Sequence, residues 1–149
     1  MKRTALILLL CIFPPMLCMA QSLPEKQLTQ IAQRLSDGQR VSLSYSCTVD
    51  GPAPMQLSGR LLLQGNCYRA EGNGVEIRCD GSTRWTVDRK EKEVYIESSG
   101  GIREVLQYKE SLGTLALSDL QYLTGSDDLS PFVFDISALD SSWVITDLR

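Results

Sequence analysis

The stretch that decides the fold is residues 67–98, which read CYRAEGNGVEIRCDGSTRWTVDRKEKEVYIES. Apolar and polar side chains alternate within four short segments, residues 67–71, 75–79, 83–88 and 93–98, as they do in half-buried β-strands. The segments are separated by GNG, DGS and RKEK, and the Gly, Asn and Asp residues of the first two are typical of hairpin turns. The stretch therefore predicts four antiparallel strands in hairpin order.

Two more strands are predicted upstream of this stretch. Residues 41–49 read VSLSYSCTV and residues 56–64 read QLSGRLLLQ, and both alternate with a period of two. A turn at Asp50-Gly51-Pro52 joins them. The chain thus predicts an antiparallel meander of six strands, each with one apolar face, in which Val94 and Ile96 lie opposite Val87 and Trp85.

A helix is predicted before the meander. Ser22 and Glu25 fit a capping box around Pro24, and Gly38 ends the pattern. Between these signals apolar residues recur at helical spacing, at Leu28, Ile31, Ala32 and Leu35. Such a stripe is wide enough to cover one face of the sheet.

The chain after the meander is less regular. Residues 104–123 are interpreted as a helical region interrupted at Gly113, with apolar contacts from Leu112, Leu115, Leu117, Leu120, Tyr122 and Leu123. This region fits either a lid or ordinary packing, and periodicity does not decide between them. Residues 132–136 and 143–148 are predicted to be short strands. The predicted fold class is α+β, with an antiparallel sheet of about eight strands and helices over one side.

The composition argues against several functions. The chain contains no histidine, which excludes Ser-His and Cys-His nucleophile pairs and histidine metal sites. No pair of carboxylates lies in an apolar run, so neither an enzyme nor a cofactor or metal is predicted. The net charge is −3 and no cluster of Lys or Arg occurs, so nucleic acid is a poor partner.

The cysteines beyond the N-terminal segment are Cys47, Cys67 and Cys79, and they form no CxxC motif. Cys67 and Cys79 flank the GNG turn, so its length decides whether they are able to bond. A two-residue loop places them on opposite faces, whereas a three-residue loop makes them neighbours. The two-residue loop also gathers the apolar residues on one face, which favours free, buried thiols and leaves the disulfide open.

The N-terminus predicts a cleaved signal peptide over residues 1–20. Lys2 and Arg3 precede a short apolar run, and small residues suit cleavage after Ala20. Lipid modification of Cys18 is disfavoured because bulky Leu17 precedes it. We therefore expect export to the periplasm and a single domain over residues 21–149, active as a monomer.

A resemblance appears over the central part of the chain. It is carried by residues 58–66 (SGRLLLQGN), YR at 68–69, residues 77–88 (IRCDGSTRWTVD) and EV at 93–94. This succession of a G-x-L strand, a Y-R strand and a D-G-x-T-x-W segment resembles the LolA-like family of outer-membrane lipoprotein carriers. It is most similar to the short Bacteroides-type members, and it covers roughly residues 28–98.

The resemblance implies an incomplete, half-open β-barrel with an N-terminal helix and a lid-like helical segment. It implies a periplasmic chaperone whose concave apolar face binds the acyl chains of lipoproteins, or another lipid, for transfer towards the outer membrane. Possible protein partners are an inner-membrane lipoprotein-releasing complex and an outer-membrane acceptor. Strand parity selects the residues predicted to line the apolar cavity: Leu61, Leu63, Tyr68, Val75, Ile77, Trp85, Val87, Val94 and Ile96.

A second function stays open at this point. The family's basic residue near the end of the G-x-L strand is missing from Leu63-Gln64-Gly65, and the match fades beyond Ser98. A LolA-like envelope protein that binds a protein partner without transporting lipid fits the same residues. The sequence leaves open the ligand, the donor and acceptor proteins and whether the lid opens.

Overall fold

The computed structural model describes residues 23–49, 51–106 and 113–149 and has an α+β fold. Within these residues it contains one eight-stranded sheet with the strand order β7-β1-β2-β3-β4-β5-β6-β8. The helices are α1 (Leu23–Ser36) and α2 (Ile102–Val105). The strands are β1 (Arg40–Val49), β2 (Met55–Gln64), β3 (Cys67–Gly72), β4 (Val75–Cys79), β5 (Thr83–Asp88), β6 (Glu93–Ser98), β7 (Gly113–Leu123) and β8 (Val144–Asp147).

The six-stranded meander is confirmed. Strands β1 to β6 pair with their neighbours in chain order and antiparallel. The predicted pairs are also observed, since Trp85 pairs with Ile96 and Val87 pairs with Val94. Clean period-two alternation and short turns fix these strands, because one-residue slips would turn the apolar side chains towards water.

The predicted helical region over residues 104–123 is mostly wrong. Only α2 is helical, and residues 113–123 form β7, which pairs antiparallel with β1. The register shifts between Ser42 and Ser44, opposite Asp119, which has a φ of 52°. This β-bulge offsets the alternation of Leu115 and Leu117 from that of Leu120 and Tyr122, so the strand resembles a helix in spacing. Leu112 lies outside the described residues.

The C-terminal segment also differs from expectation. Residues 132–136 are not a strand, because 3₁₀ turns occupy Ser130–Phe132 and Ile136–Ala138. The strand predicted at residues 143–148 is present as β8, but it pairs parallel with β6. The sheet is therefore mixed rather than antiparallel. Strands β7 and β8 lie at opposite edges, and the sheet is not closed.

Helix α1 is confirmed, and it packs its apolar stripe on the sheet. Ile31 and Leu35 are buried and Leu28 is half-buried, while Ala32 is exposed. Gly38 follows the helix with a φ of 78°, the left-handed conformation that favours glycine after a helix C-terminus. The predicted signal peptide, its cleavage after Ala20 and the capping residue Ser22 lie outside the described residues.

The sheet has two differently covered faces. The front face carries Val41, Leu43, Leu63, Tyr68 and Cys79, which form one apolar cluster with α1 and with Ile102. The back face carries a second cluster, made of Val87, Val94, Ile96 and Phe134, with Trp85, Leu139 and Trp143 packed against it. Residues 130–139 cross the back face.

Candidate ligand-binding site

A cavity of about 390 Å³ lies between the front face, α1 and α2. This volume falls within the range of roughly 300–1,000 Å³ that is usual for small-molecule sites. Most of the lining side chains are aliphatic: Leu28, Ile31, Leu43, Leu61, Leu63, Ala70, Ile77, Val105, Leu106, Leu115 and Leu117. Tyr45, Tyr68, Arg84, Thr86 and Glu104 complete the lining. The cavity is thus an apolar space with a few polar groups.

Gly59 of the G-x-L motif makes room for part of this lining. Tyr45 pairs with Gly59 across β1 and β2. A β-carbon on Gly59 would lie 2.9 Å from the Tyr45 hydroxyl and would collide with the carbonyl oxygen of Glu71. Glycine therefore lets β3 approach β2 closely and lets the Tyr45 ring lie over the strand. Burial raises the pKa of the Tyr45 hydroxyl, so it stays protonated at neutral pH.

Helix α2 is held at its N-terminal end. The Ile102 N–H donates to the backbone carbonyl and side-chain oxygen of Asn66, at 3.2 and 3.1 Å. The side-chain amide of Asn66 donates to the Gly81 carbonyl at 3.2 Å. One turn of helix is therefore fastened to two hairpin turns of the sheet. This places Val105 and Leu106 on the cavity wall.

The polar end of the cavity is built around Arg84. Its Nε and Nη2 donate to Glu97 Oε2 at 3.2 and 2.8 Å, and its Nη1 donates to Glu104 Oε2 at 3.1 Å. Ser99 and the Gly100 N–H also donate to Glu104, both at 2.8 Å. These two hydrogen bonds, together with the charge of Arg84, lower the pKa of Glu104, which is therefore ionised at neutral pH.

The residues predicted to line the cavity do not share one face. Leu61, Leu63, Tyr68 and Ile77 line the cavity, and Val75 lies at the far end of the same strand face as Ile77 without lining it. The remaining predicted residues, Trp85, Val87, Val94 and Ile96, belong to the back-face cluster. For those last side chains the predicted position is wrong.

The error arises at the β4–β5 hairpin. Cys79 pairs with Arg84, so four residues separate the paired positions. An even loop places odd-numbered residues of β4 on the same face as even-numbered residues of β5. Asp80 fixes this loop, because its Oδ1 accepts from the N–H groups of Ser82 and Thr83 at 2.9 and 2.8 Å. Ile77 therefore lies beside Thr86, not beside Trp85.

Sequence reasoning missed part of the lining. Leu28, Ile31, Leu43, Tyr45 and Ala70 lie at predicted apolar positions but were not assigned to the cavity. Arg84, Thr86 and Glu104 were not recognised, and Leu115 and Leu117 were assigned to a helix. The length of the loop that begins at Asp80 is the sequence feature that would have placed Arg84 and Thr86 in the cavity. The alternation of Leu115 and Leu117 is the signal for the strand.

The back face has a cavity of about 540 Å³ beside its charged centre, and Arg78 and Arg89 line it together with side chains of residues 130–139. Glu76 is 8% exposed and pairs with Arg78, with Arg89 at 3.1 Å and with Arg69 at 3.4 Å. Arg78 also donates to the Val133 carbonyl at 2.9 Å and lies over the Phe134 ring. The ionic cluster of Glu76 with these arginines therefore fastens residues 130–139 to the sheet.

Cys47, Cys67 and Cys79 are free thiols, and Cys67 and Cys79 are buried, which confirms the favoured alternative. Tyr68 pairs with Cys79 across β3 and β4, so Cys67 points to the opposite face from Cys79. Burial, with smaller effects from Asp80 and Cys79, raises the pKa of the Cys67 thiol. Both side chains act as small apolar groups in the core.

The described part of the chain contains neither a metal-binding cluster nor a helix able to span a membrane. No group of three or more His, Cys, Asp or Glu side chains there is arranged to hold a metal ion. Across residues 23–49, 51–106 and 113–149, no helix is long and apolar enough to cross a bilayer. In comparisons with known proteins, no protein-family model and no curated protein matches the chain.

Proposed function

We propose that the protein is a periplasmic carrier that shelters the acyl chains of lipoproteins, or of another lipid, for transfer towards the outer membrane. The observation that carries the proposal is the cavity of about 390 Å³ with its aliphatic lining. Aliphatic walls favour hydrocarbon because each buried methylene contributes about 0.8 kcal/mol. Glu104 and Tyr68 lie beside Arg84, so one end of the cavity is polar, which suits a ligand with a long apolar part and one polar end.

The energetics of the task support this use of the cavity. One acyl chain binds a bilayer with a constant of about 10⁴ M⁻¹, or about 5 kcal/mol, so a carrier must offer a similar gain. It must also release its cargo, which argues against a fully closed site. The open sheet, with its edges at β7 and β8, and the one-turn α2 suit such reversible binding.

The LolA-like resemblance of residues 28–98 supports the same proposal. An open sheet with α1 and α2 over its front face suits the incomplete barrel of that family. The proposal includes a signal peptide at residues 1–20, action as a non-enzymatic monomer, and exchange with an inner-membrane releasing complex and an outer-membrane acceptor.

A second candidate function is binding of a protein partner without lipid transport. Edge strand β8 favours it, because Val144 and Ile145 are 57% and 44% exposed and Leu148, just beyond the strand, is 59% exposed. Edge strands with exposed apolar side chains are common sites of partner binding. This candidate function requires no ligand in the cavity. An experiment that detects a bound ligand therefore distinguishes it from the carrier function.

Native mass spectrometry of protein purified from its own cell envelope tests the first candidate. We expect a population with the added mass of an acyl compound. Leu61→Gln places an amide in the cavity wall and should abolish this population. Leu62→Gln is the matched control, since Leu62 points to the back face and the variant should keep the ligand. Ligand-free protein, or equal loss in both variants, would overturn the proposal.

A further inference from the structure

The charged side chains at the polar end of the cavity indicate which polar groups a ligand is able to carry. Among the described residues that line the cavity, Arg84 is the only basic side chain. Its guanidinium already donates to two carboxylates, Glu97 and Glu104. The three side chains are 30%, 35% and 40% exposed, so they lie where a polar group of a bound ligand would meet water. An incoming anion therefore finds no free cation in the described lining.

The strands next to the cavity add to the negative charge. The front-face positions of β5 and β6, which alternate with those of the back-face cluster, are Arg84, Thr86, Asp88, Glu93, Tyr95 and Glu97. Asp88 and Glu93 pair across the two strands, and Arg84 is the only basic residue among these positions. The polar border of the cavity thus carries more carboxylates than cations.

This arrangement discriminates between ligands by charge. A carboxylate or phosphate near Arg84 must displace Glu97 or Glu104, or must stay close to both of them. Either event brings like charges together in a partly desolvated place, where their repulsion is larger than in free solution. A neutral polar end meets no such repulsion, and a cationic end is attracted by Glu97 and Glu104, which outnumber the single charge of Arg84.

We infer that the cavity accepts acyl ligands whose polar end has no negative charge, such as amide- or ester-linked chains, and excludes free fatty acids and anionic lipids. The inference rests on the proposed function and deepens it, because it assigns a substrate class to the same cavity. Glu97 and Glu104 are then specificity-determining residues that act by occupying Arg84.

Competition with an uncharged fluorescent dye tests this inference. N-phenylnaphthylamine occupies apolar cavities, and three compounds with the same alkyl chain would displace it: dodecanol, dodecyltrimethylammonium and dodecanoate. The titration is done at about pH 8, where the monomeric carboxylic acid is ionised. We expect dodecanol and dodecyltrimethylammonium to displace the dye at roughly tenfold lower concentration than dodecanoate.

The double variant Glu97→Gln/Glu104→Gln sharpens the test. It frees Arg84 from both carboxylates, so dodecanoate should approach the affinity of dodecanol, while dodecanol itself changes little. The double variant Glu71→Gln/Glu91→Gln removes the same charge from exposed positions and should keep the wild-type ratio. Circular dichroism verifies that each variant is folded. The titrations of the wild-type protein test the inference even if a variant does not fold.

The outcomes separate the inference from the proposed function. Dodecanoate that binds as tightly as dodecanol to the wild-type protein overturns the inference and leaves the carrier proposal standing. A charge ratio that changes equally in both double variants also overturns it, because long-range charge would then explain the selectivity. Failure of the dye and of every alkyl compound to bind overturns both.

Discussion

The front and back faces of the sheet are formed by the same strands but differ in how their apolar side chains are covered. On the front, aliphatic side chains meet the short helix α2 and part of α1, and a cavity of about 390 Å³ remains between them. On the back, Val87, Val94 and Ile96 are 0–2% exposed beneath aromatic side chains, and Glu76 is ringed by arginines. The back-face cavity, of about 540 Å³, is bordered by Arg78 and Arg89, whereas the walls of the front-face cavity are mostly aliphatic.

This difference assigns stability and ligand exchange to opposite sides of one sheet. The closely packed core of the back face and its ion cluster resist change, because a deletion there leaves a hole or an unpaired charge. A face with unfilled apolar space tolerates small changes and is able to admit a ligand. Substitutions on the back should therefore reduce stability alone, and substitutions on the front should reduce affinity.

The largest effect is expected for Glu76→Ala on the back face. It leaves the half-buried Arg78 without its carboxylate and Arg69 with Glu71 alone, which typically costs about 3–5 kcal/mol. Glu71→Ala is the control, because Glu71 is exposed and its surface pair with Arg69 contributes at most about 1 kcal/mol. Chemical denaturation measures both free energies of unfolding. Equal losses in the two variants would contradict the assigned role of Glu76.

A matched pair of isoleucines compares the two faces directly. Ile96→Ala, in the back-face cluster, should cost about 2–5 kcal/mol of stability and leave the affinity of an alkyl dye unchanged. Ile77→Ala, in the cavity wall, should cost less stability, because Ile77 already borders empty space. It should weaken dye binding up to roughly tenfold through lost methylene contacts. The reverse order of affinities would remove the functional distinction between the faces.

Acid should weaken the back face through Glu76. Burial acts to raise the pKa of this carboxyl, but the hydrogen bonds from Arg78 and Arg89, with the charges of Arg78 and Arg69, outweigh it and lower the pKa. The ion cluster therefore stabilises the fold above the ordinary glutamate value of 4.5, and this contribution is lost as pH falls through the folded-state pKa.

Glu76→Gln should accordingly be less stable than wild type at neutral pH, with a difference that shrinks as the pH falls below the ordinary glutamate value of 4.5. Thermal melts over a pH series would measure that difference. A constant difference across the series would show that the charge of Glu76 does not stabilise the fold.

The smallest effect is expected in tryptophan fluorescence. Trp85 and Trp143 both pack on the back-face cluster, so dodecanol bound in the cavity should leave their emission maximum unchanged. Tyr45→Trp, with both native tryptophans replaced by phenylalanine, places the reporter on the cavity wall and should shift on binding. A shift in the wild-type protein without one in this variant would move the ligand to the back face.

The strands of the meander were predictable because the alternation of apolar and polar residues in each strand shows directly which side is buried. Residues 75–79, 83–88 and 93–98 were predicted with the bounds that β4, β5 and β6 have in the structure. Alternation and turn residues suffice for this, since both act within a few positions of each other. The stripe of α1 was predictable for the same reason.

The faces and the last strands were not predictable by the same means. Which face Trp85 occupies depends on the length of the loop held by Asp80, and this single parity decides every later residue of the meander. The bulge at Asp119 interrupts the alternation of β7, so the strand pattern was not recognisable. The parallel pairing of β8 with β6 joins segments that are distant in sequence. The position of Arg84 at the cavity follows only from the strand register, which the sequence pattern alone does not give.

Photo-crosslinking tests the central claim, that the front-face cavity holds the acyl chain, most directly. A long-chain fatty alcohol with a diazirine on its chain is bound, irradiated and mapped by peptide mass spectrometry. We predict labels on the cavity wall, at residues such as Leu61, Ile77 and Leu117, and their loss when excess dodecanol competes. Labels concentrated on Trp85, Val87 or Phe134 would place the ligand on the back face and contradict the account.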